Sequence, residues 1–143
     1  MNYESFLKVS HSVEETKRVA YNFGRFLKSG DIVLLSGDLG AGKTVFTKGL
    51  VEGLGCNAEE VVSPTFTIMN DYDGKVNHFD LYRLNSVEEF IGTGAEEQLY
   101  SSAVSVVEWP EVVGFEFFPT FAYVVIIKKI DDNTREISIK RNV

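Results

Sequence analysis

One cysteine and three prolines are all that 143 residues contain of either type, and each scarcity removes a class of protein. Cys56 alone cannot make an internal bridge, and two histidines, His11 and His78, fall short of a tetrahedral zinc set. The opening stretch, MNYESFLKVS, lacks a basic region leading into an apolar run, and no segment approaches the ~18 apolar residues of a membrane span. A reduced cytoplasmic protein, neither secreted nor membrane-spanning, is therefore expected. Pro64, Pro110 and Pro119 lie far apart, and no repeat or low-complexity tract interrupts the chain. With 44% hydrophobic residues, a single domain over residues 1–143 can bury a core without disulfides or a structural metal. Positive charge is also in deficit, 14 basic against 21 acidic residues for a net charge of −7. The average field repels phosphate backbones and anionic lipid, which counts against direct gripping of nucleic acid.

The apolar residues present are ordered by period. After a short apolar stretch around Phe6 to Val9, Ser12 and Glu15 form a capping box, and Val13, Ala20, Phe23 and Leu27 recur near helical spacing. This predicts a helix from Val13 to Lys28, ending at Gly30. Ile32-Val33-Leu34-Leu35 reads as a strand buried on both faces, and Gly37 ends it. Val45, Phe46, Leu50 and Leu54 suit a second helix from Lys43 to Leu54, closed by Gly55. Thr65 to Asp71 and Lys75 to Phe79 flank Asp73-Gly74, a hairpin dipeptide. Ser86 with Glu89 offers another capping box, and Glu96 to Tyr100 adds a helical turn or two before Ala103 to Val107, a second buried strand. Phe121 to Ile127 and Glu136 to Ile139, separated by Asp131-Asp132-Asn133, read as a terminal antiparallel pair. The pattern predicts an α/β architecture, a mainly parallel sheet with helices on both faces and antiparallel strands at its edge.

Between the first buried strand and the helix after it, Gly37-Asp38-Leu39-Gly40-Ala41-Gly42-Lys43-Thr44 matches G-x-x-x-x-G-K-[ST]. Glycines there let backbone amides turn inward around phosphate oxygens, Lys43 reaches the terminal phosphates, and the Thr44 hydroxyl takes magnesium. The helix end adds electrostatic stabilisation. Asp38, Leu39, Gly40, Ala41, Gly42, Lys43 and Thr44 are thus candidate phosphate contacts. An acidic residue at the end of a neighbouring strand should complete the magnesium shell. Asp80 follows Val76 to Phe79; Glu108 follows Ala103 to Val107, the more convincing buried strand. Position favours Glu108, and both stay candidates. Ser63-Pro64-Thr65 is held extended by Pro64 and could sense the terminal phosphate, with an incidental proline-initiated strand the alternative. Arg83 reads better as a surface partner of Glu88 or Glu89 than as catalytic. Trp109, Phe115, Phe117, Phe118, Phe121 and Tyr123 could flank a base, yet core packing is their default. His78 reads as a satisfied structural histidine.

Four blocks together, Gly37 to Thr44, Ser63-Pro64-Thr65-Phe66-Thr67, His78-Phe79-Asp80-Leu81-Tyr82-Arg83-Leu84 and Val107-Glu108-Trp109-Pro110-Glu111, closely resemble the bacterial TsaE (YjeE) family. The first block is generic to many families, the last two are specific, and no family motif is assigned beyond Glu111. The resemblance implies a P-loop NTPase-like three-layer sandwich and a cytoplasmic ATPase, with ATP and Mg2+ as cofactors. It also implies a role in making threonylcarbamoyladenosine next to the tRNA anticodon, without performing the carbamoyl transfer. By the same resemblance the protein joins TsaB and TsaD, ATP binding and hydrolysis reset that complex, and tRNA is met mainly indirectly. Lys43, Asp80 and Glu108 become catalytic, Thr44 and Glu108 magnesium ligands with Asp80 a further acid there, and Thr65 part of a switch-like nucleotide contact.

Rival readings are weaker. A small GTPase needs an N-K-x-D block, which is absent, and the D-x-x-G from Asp71 to Gly74 falls in a hairpin turn. A nucleoside kinase needs an arginine-rich lid, whereas Arg18, Arg25, Arg83, Arg135 and Arg141 are scattered. A nucleotide-gated binding module with slow or partner-dependent hydrolysis overlaps the family role.

Overall fold

The computed structural model describes residues 2–38, 40–62 and 68–143. In chain order the regular elements are β1 (Ser5–Ser10), α1 (Val13–Phe26), β2 (Ile32–Ser36), α2 (Lys43–Gly53), β3 (Met69–Tyr72), β4 (Val76–Asp80), α3 (Val87–Gly92), β5 (Val104–Glu108), β6 (Tyr123–Asp131) and β7 (Thr134–Arg141). One sheet runs β1-β7-β6-β2-β5-β4-β3. Its central strands β6, β2, β5 and β4 are parallel, and β1, β7 and β3 add antiparallel edges.

Strand β2 sits at the centre because its four apolar residues can be covered from both sides. Val33 and Leu35 face a cluster with Phe23, Phe46 and Leu50 of α1 and α2. Ile32 and Leu34 face the opposite cluster with Phe79, Phe90, Leu99 and Phe118. The alternation is the two-residue period of a strand. One layer is thus α1 and α2, the middle is the sheet, and the other combines α3 with 3-10 segments at 95–100, 110–112 and 115–117.

Helices α1 and α2 meet at glycines. A Cβ on Gly24 would lie 2.3 Å from the Leu50 carbonyl oxygen, one on Gly49 2.5 Å from that of Lys17, and one on Gly53 2.3 Å from that of Tyr21. The backbones are therefore nearly in contact, which fixes the height of α2 over the sheet.

Local signals account for the ends of elements. Ser12 caps α1 by accepting from Glu15 N–H, and Ser86 caps α3 by accepting from Glu89 N–H, both at 3.1 Å. Helix α1 stops at Phe26 rather than Lys28 because the Asp31 carboxylate captures the Lys28 amide at 2.9 Å and Leu27 is extended. Asp73 (φ 56°) and Gly74 (φ 67°) make the β3–β4 turn, as the dipeptide predicts. The stretch Thr65 to Thr67, read as the start of that hairpin, lies outside the described residues. The segment expected to be helical at Glu96 to Tyr100 is a 3-10 helix over Ala95–Tyr100.

Two pairings go beyond the sequence reading. Segment 5–10 is a strand, antiparallel to β7. Strand β6 pairs with β7 as expected, but its other edge lies parallel against β2, so the terminal strands build the centre of the sheet as well as finishing it.

Candidate functional site

The turn after β2 is shaped by close backbone approach. A Cβ on Gly37 would meet the Ile127 carbonyl oxygen at 2.8 Å, so the loop passes under β6 only as glycine. Gly40 (φ 79°) and Gly42 (φ 108°) then take left-handed conformations that turn the chain into α2. Gly42 is the N-cap and offers no side chain to the first-turn amides, which remain available to an anion.

Arg135 of β7 bolts this loop in place. Its Nε donates to the Ala41 carbonyl at 2.7 Å and its Nη2 to Gly40 at 3.3 Å. Its Nη1 donates to the Asp131 carbonyl at 2.7 Å and the Thr134 carbonyl at 3.1 Å. The guanidinium thus joins the β6–β7 turn to the glycine loop across 94 residues of sequence.

Lys43 is only 7% exposed. Its ammonium donates to the Gly37 carbonyl and lies 3.7 Å from the centre of the Trp109 ring. Burial lowers its pKa from the usual lysine value, opposed by the carboxylates of Glu108, Glu111, Asp80 and Asp38. Thr44, next on the helix, is exposed at the mouth of the cleft.

The two candidate acids are side by side. Asp80 ends β4, Glu108 ends β5, and they are register partners on adjacent parallel strands. Glu108 is 3% exposed, and its Oε2 accepts from His78 Nε2 at 2.5 Å. Asp80 accepts from Tyr82 N–H at 3.0 Å. Burial raises the Asp80 pKa above the ordinary aspartate value; the Tyr82 amide opposes this, and the Glu108 charge reinforces it.

Trp109 follows Glu108 in a left-handed conformation, φ 58° and ψ 46°, which for a bulky residue costs on the order of 1–3 kcal/mol. The turn it makes is held by Tyr82, with ring centres 4.9 Å apart, and by Ser36, whose hydroxyl donates to Glu111 at 2.5 Å. Of the other aromatic candidates, Phe118 and Tyr123 are buried, Phe115 and Phe117 pack against the second cluster, and Phe121 is exposed.

Lys43, Thr44, Asp80, Glu108, Trp109 and Arg135 share one cleft of about 370 Å³, within the range of ligand sites. A smaller hollow of about 80 Å³ between Ser12, Val13 and Thr16 and the Asp132-Asn133 turn borders it through Gly42, Val45 and Arg135. Among the described residues no three His, Cys, Asp or Glu side chains cluster as a preformed metal cage. Asp38, Gly40, Ala41 and Gly42 lie in the loop as expected; Leu39, Ser63, Pro64 and Thr65 lie outside the described residues. The sequence reading did not single out Arg135, nor the Lys43–Trp109 contact, since neither leaves a local signal. It gave His78 a satisfied hydrogen bond without naming its partner.

A parallel sheet whose central strand feeds a glycine loop and helix, with acids at the tips of the next strands, defines a P-loop NTPase-like α/β protein. The family model described as "Threonylcarbamoyl adenosine biosynthesis protein TsaE" matches residues 10–137. Relatives named tRNA threonylcarbamoyladenosine biosynthesis protein TsaE include that of Treponema pallidum, 43% identical over 133 residues covering 92% of this chain and 97% of that protein. Another is that of Bacillus subtilis, 42% identical over 128 residues, covering 87% and 78%. The crystal structure of Bacillus subtilis YdiB superposes with a TM-score of 0.77 at 34% identity, covering 97% of this chain and 86% of that one. The chain belongs to the TsaE family.

Proposed function

We propose that this chain binds ATP with magnesium in the cleft above β2, β4 and β5 and hydrolyses it slowly when alone. Its work serves threonylcarbamoyladenosine modification of tRNA, through a complex with TsaB and TsaD. It acts as a single domain in the cytoplasm. The observation that carries the reading is the convergence of Lys43, Thr44, Asp80 and Glu108 on one cleft at the open end of the glycine loop.

In this reading the loop amides and the first turn of α2 bind the phosphate oxygens, and the Lys43 ammonium exchanges the Gly37 carbonyl for them. Thr44 and Glu108 would hold magnesium, with Asp80 beside them, and the ion neutralises charge on the terminal phosphates. An incomplete protein cage fits that ion, because Mg2+ normally keeps phosphate and water ligands. Asp80, its pKa raised by burial, is the proton acceptor for a water attacking the terminal phosphorus. That step yields ADP and inorganic phosphate. The hollow between Ser12, Thr16 and Asn133 continues the cleft past Gly42 and Arg135, and it receives the base and ribose. Leu39 and Thr65 complete the nucleotide contacts.

Calorimetry with ATP and GTP in magnesium, paired with phosphate release, tests the reading. Saturable ATP binding, lost hydrolysis in Glu108→Ala and retention of TsaB and TsaD on the immobilised protein only with nucleotide are the expected results. Preference for GTP, normal turnover in Glu108→Ala, or phosphate transferred to a nucleoside would each overturn it.

A further inference from the structure

Glu108 is supported from behind by a dry chain of side chains. Its Oε2 accepts from His78 Nε2–H at 2.5 Å. A carboxylate can only accept, so a hydrogen is assigned to Nε2. The Tyr72 hydroxyl lies 2.9 Å from Nδ1, within hydrogen-bond distance. The same hydroxyl is 3.2 Å from the Val62 carbonyl oxygen, which also accepts from Asn70 Nδ2 at 3.1 Å. His78, Glu108 and Tyr72 are 1%, 3% and 4% exposed, so water does not substitute for the Glu108–His78 or His78–Tyr72 bond.

We propose that His78 is a positioning residue for the Glu108 carboxylate, and that Tyr72, anchored on the Val62 carbonyl, fixes the plane of the imidazole. The inference rests on the reading of Glu108 as the magnesium ligand. Stability alone does not call for this arrangement, because a buried polar pair can usually be replaced by packed apolar groups at no loss. A carboxylate that must present itself to a cation in one orientation does call for it, since the partner behind a ligand sets its direction and basicity.

The measurable quantity is the gain in ATP affinity on replacing EDTA with saturating magnesium, read by calorimetry on folded protein. Glu108→Gln should abolish the gain. His78→Leu should cut it by about 10-fold or more, the usual effect of losing an outer partner, while leaving the affinity in EDTA unchanged. His78→Gln, whose amide can still donate to Glu108, should restore most of the gain; equal losses in the Leu and Gln variants would overturn the proposal. Tyr72→Phe, which keeps the ring and loses the hydroxyl, should give a smaller loss in the same direction. If His78→Leu does not fold, Tyr72→Phe decides, and a full magnesium gain there overturns the proposal. If Glu108→Gln loses the gain while His78→Leu and Tyr72→Phe keep it, the positioning role fails and the ligand stands. A full gain in Glu108→Gln removes the ligand assignment, and the positioning role with it.

Discussion

Replacing Gly49 by alanine is the most direct test of how the glycine-loop helix is held. In an isolated helix the change is favourable by about 1 kcal/mol, because glycine is the poorer helix former. Here the added methyl would lie 2.5 Å from the Lys17 carbonyl oxygen, 2.8 Å from the Ala20 Cβ and 3.1 Å from the Lys17 Cα. Most of those atoms are backbone, so α1 and α2 must separate. Overpacking costs about 1–3 kcal/mol, and a backbone clash belongs at the upper end, leaving a net loss of about 2 kcal/mol. For a chain of this size that lowers the melting temperature by roughly 4–8 °C. A Cβ on Gly92 of α3 would meet nothing within 4 Å, so Gly92→Ala should melt at or slightly above the native temperature. Thermal unfolding followed by circular dichroism measures both. A Gly49→Ala protein as stable as the native one would refute the close-contact account of α2.

Three further perturbations act on the cleft itself. Lys43→Ala removes a charge-assisted contact worth about 1.5–3 kcal/mol, so calorimetry should show ATP affinity falling by roughly 10- to 150-fold; unchanged affinity would contradict the role given to Lys43. Asp80 holds its proton more tightly folded than unfolded, so its ionisation takes stability away as pH rises from the unfolded pKa through the raised folded one. Nucleotide-free Asp80→Asn should therefore melt higher than the native protein at neutral pH, with the advantage shrinking as pH falls through the carboxylate range. Arg135→Ala frees the carbonyls of Gly40 and Ala41; faster amide exchange at residues 40–42 and about tenfold weaker ATP binding are expected, and protected amides would argue against the bolt.

What could be read from the sequence was whatever depends on near neighbours in the chain. The capping serines Ser12 and Ser86, the left-handed pair Asp73-Gly74 and the all-apolar Ile32 to Leu35 each carry their cause within a few residues, and each takes the predicted form. Glu108 and Asp80 were legible as strand-end acids, and their register pairing explains why both looked eligible. The Arg135 contact with Ala41 was not legible, because its donor and acceptor belong to opposite ends of the chain and arginine at a strand start has no special periodicity. The Trp109 conformation was hidden for a different reason: its left-handed backbone is imposed by Tyr82 and by the Ser36–Glu111 bond, neither of which is adjacent in sequence. The His78 partner required knowing that β4 and β5 are neighbours, a tertiary fact.

The charges gathered at the cleft make a further demand on the proposed ligand. Asp38, Asp80, Glu108 and Glu111 all act on Lys43, and Arg135 is committed to backbone carbonyls. A bare triphosphate entering this space meets several carboxylates for each available cation, and like charges in a partly buried site repel strongly. Binding should accordingly depend on a divalent ion that offsets both sides, and ATP affinity should drop when magnesium is replaced by EDTA. The same reasoning gives a less intuitive result: in EDTA, Asp80→Asn and Glu108→Gln should each bind ATP more tightly than the native protein, because each removes a repelling charge. In magnesium, Glu108→Gln should bind more weakly than native. Equal ATP affinity of the native protein in EDTA and in magnesium, measured by calorimetry at fixed ionic strength, would show that the carboxylates do not govern nucleotide entry.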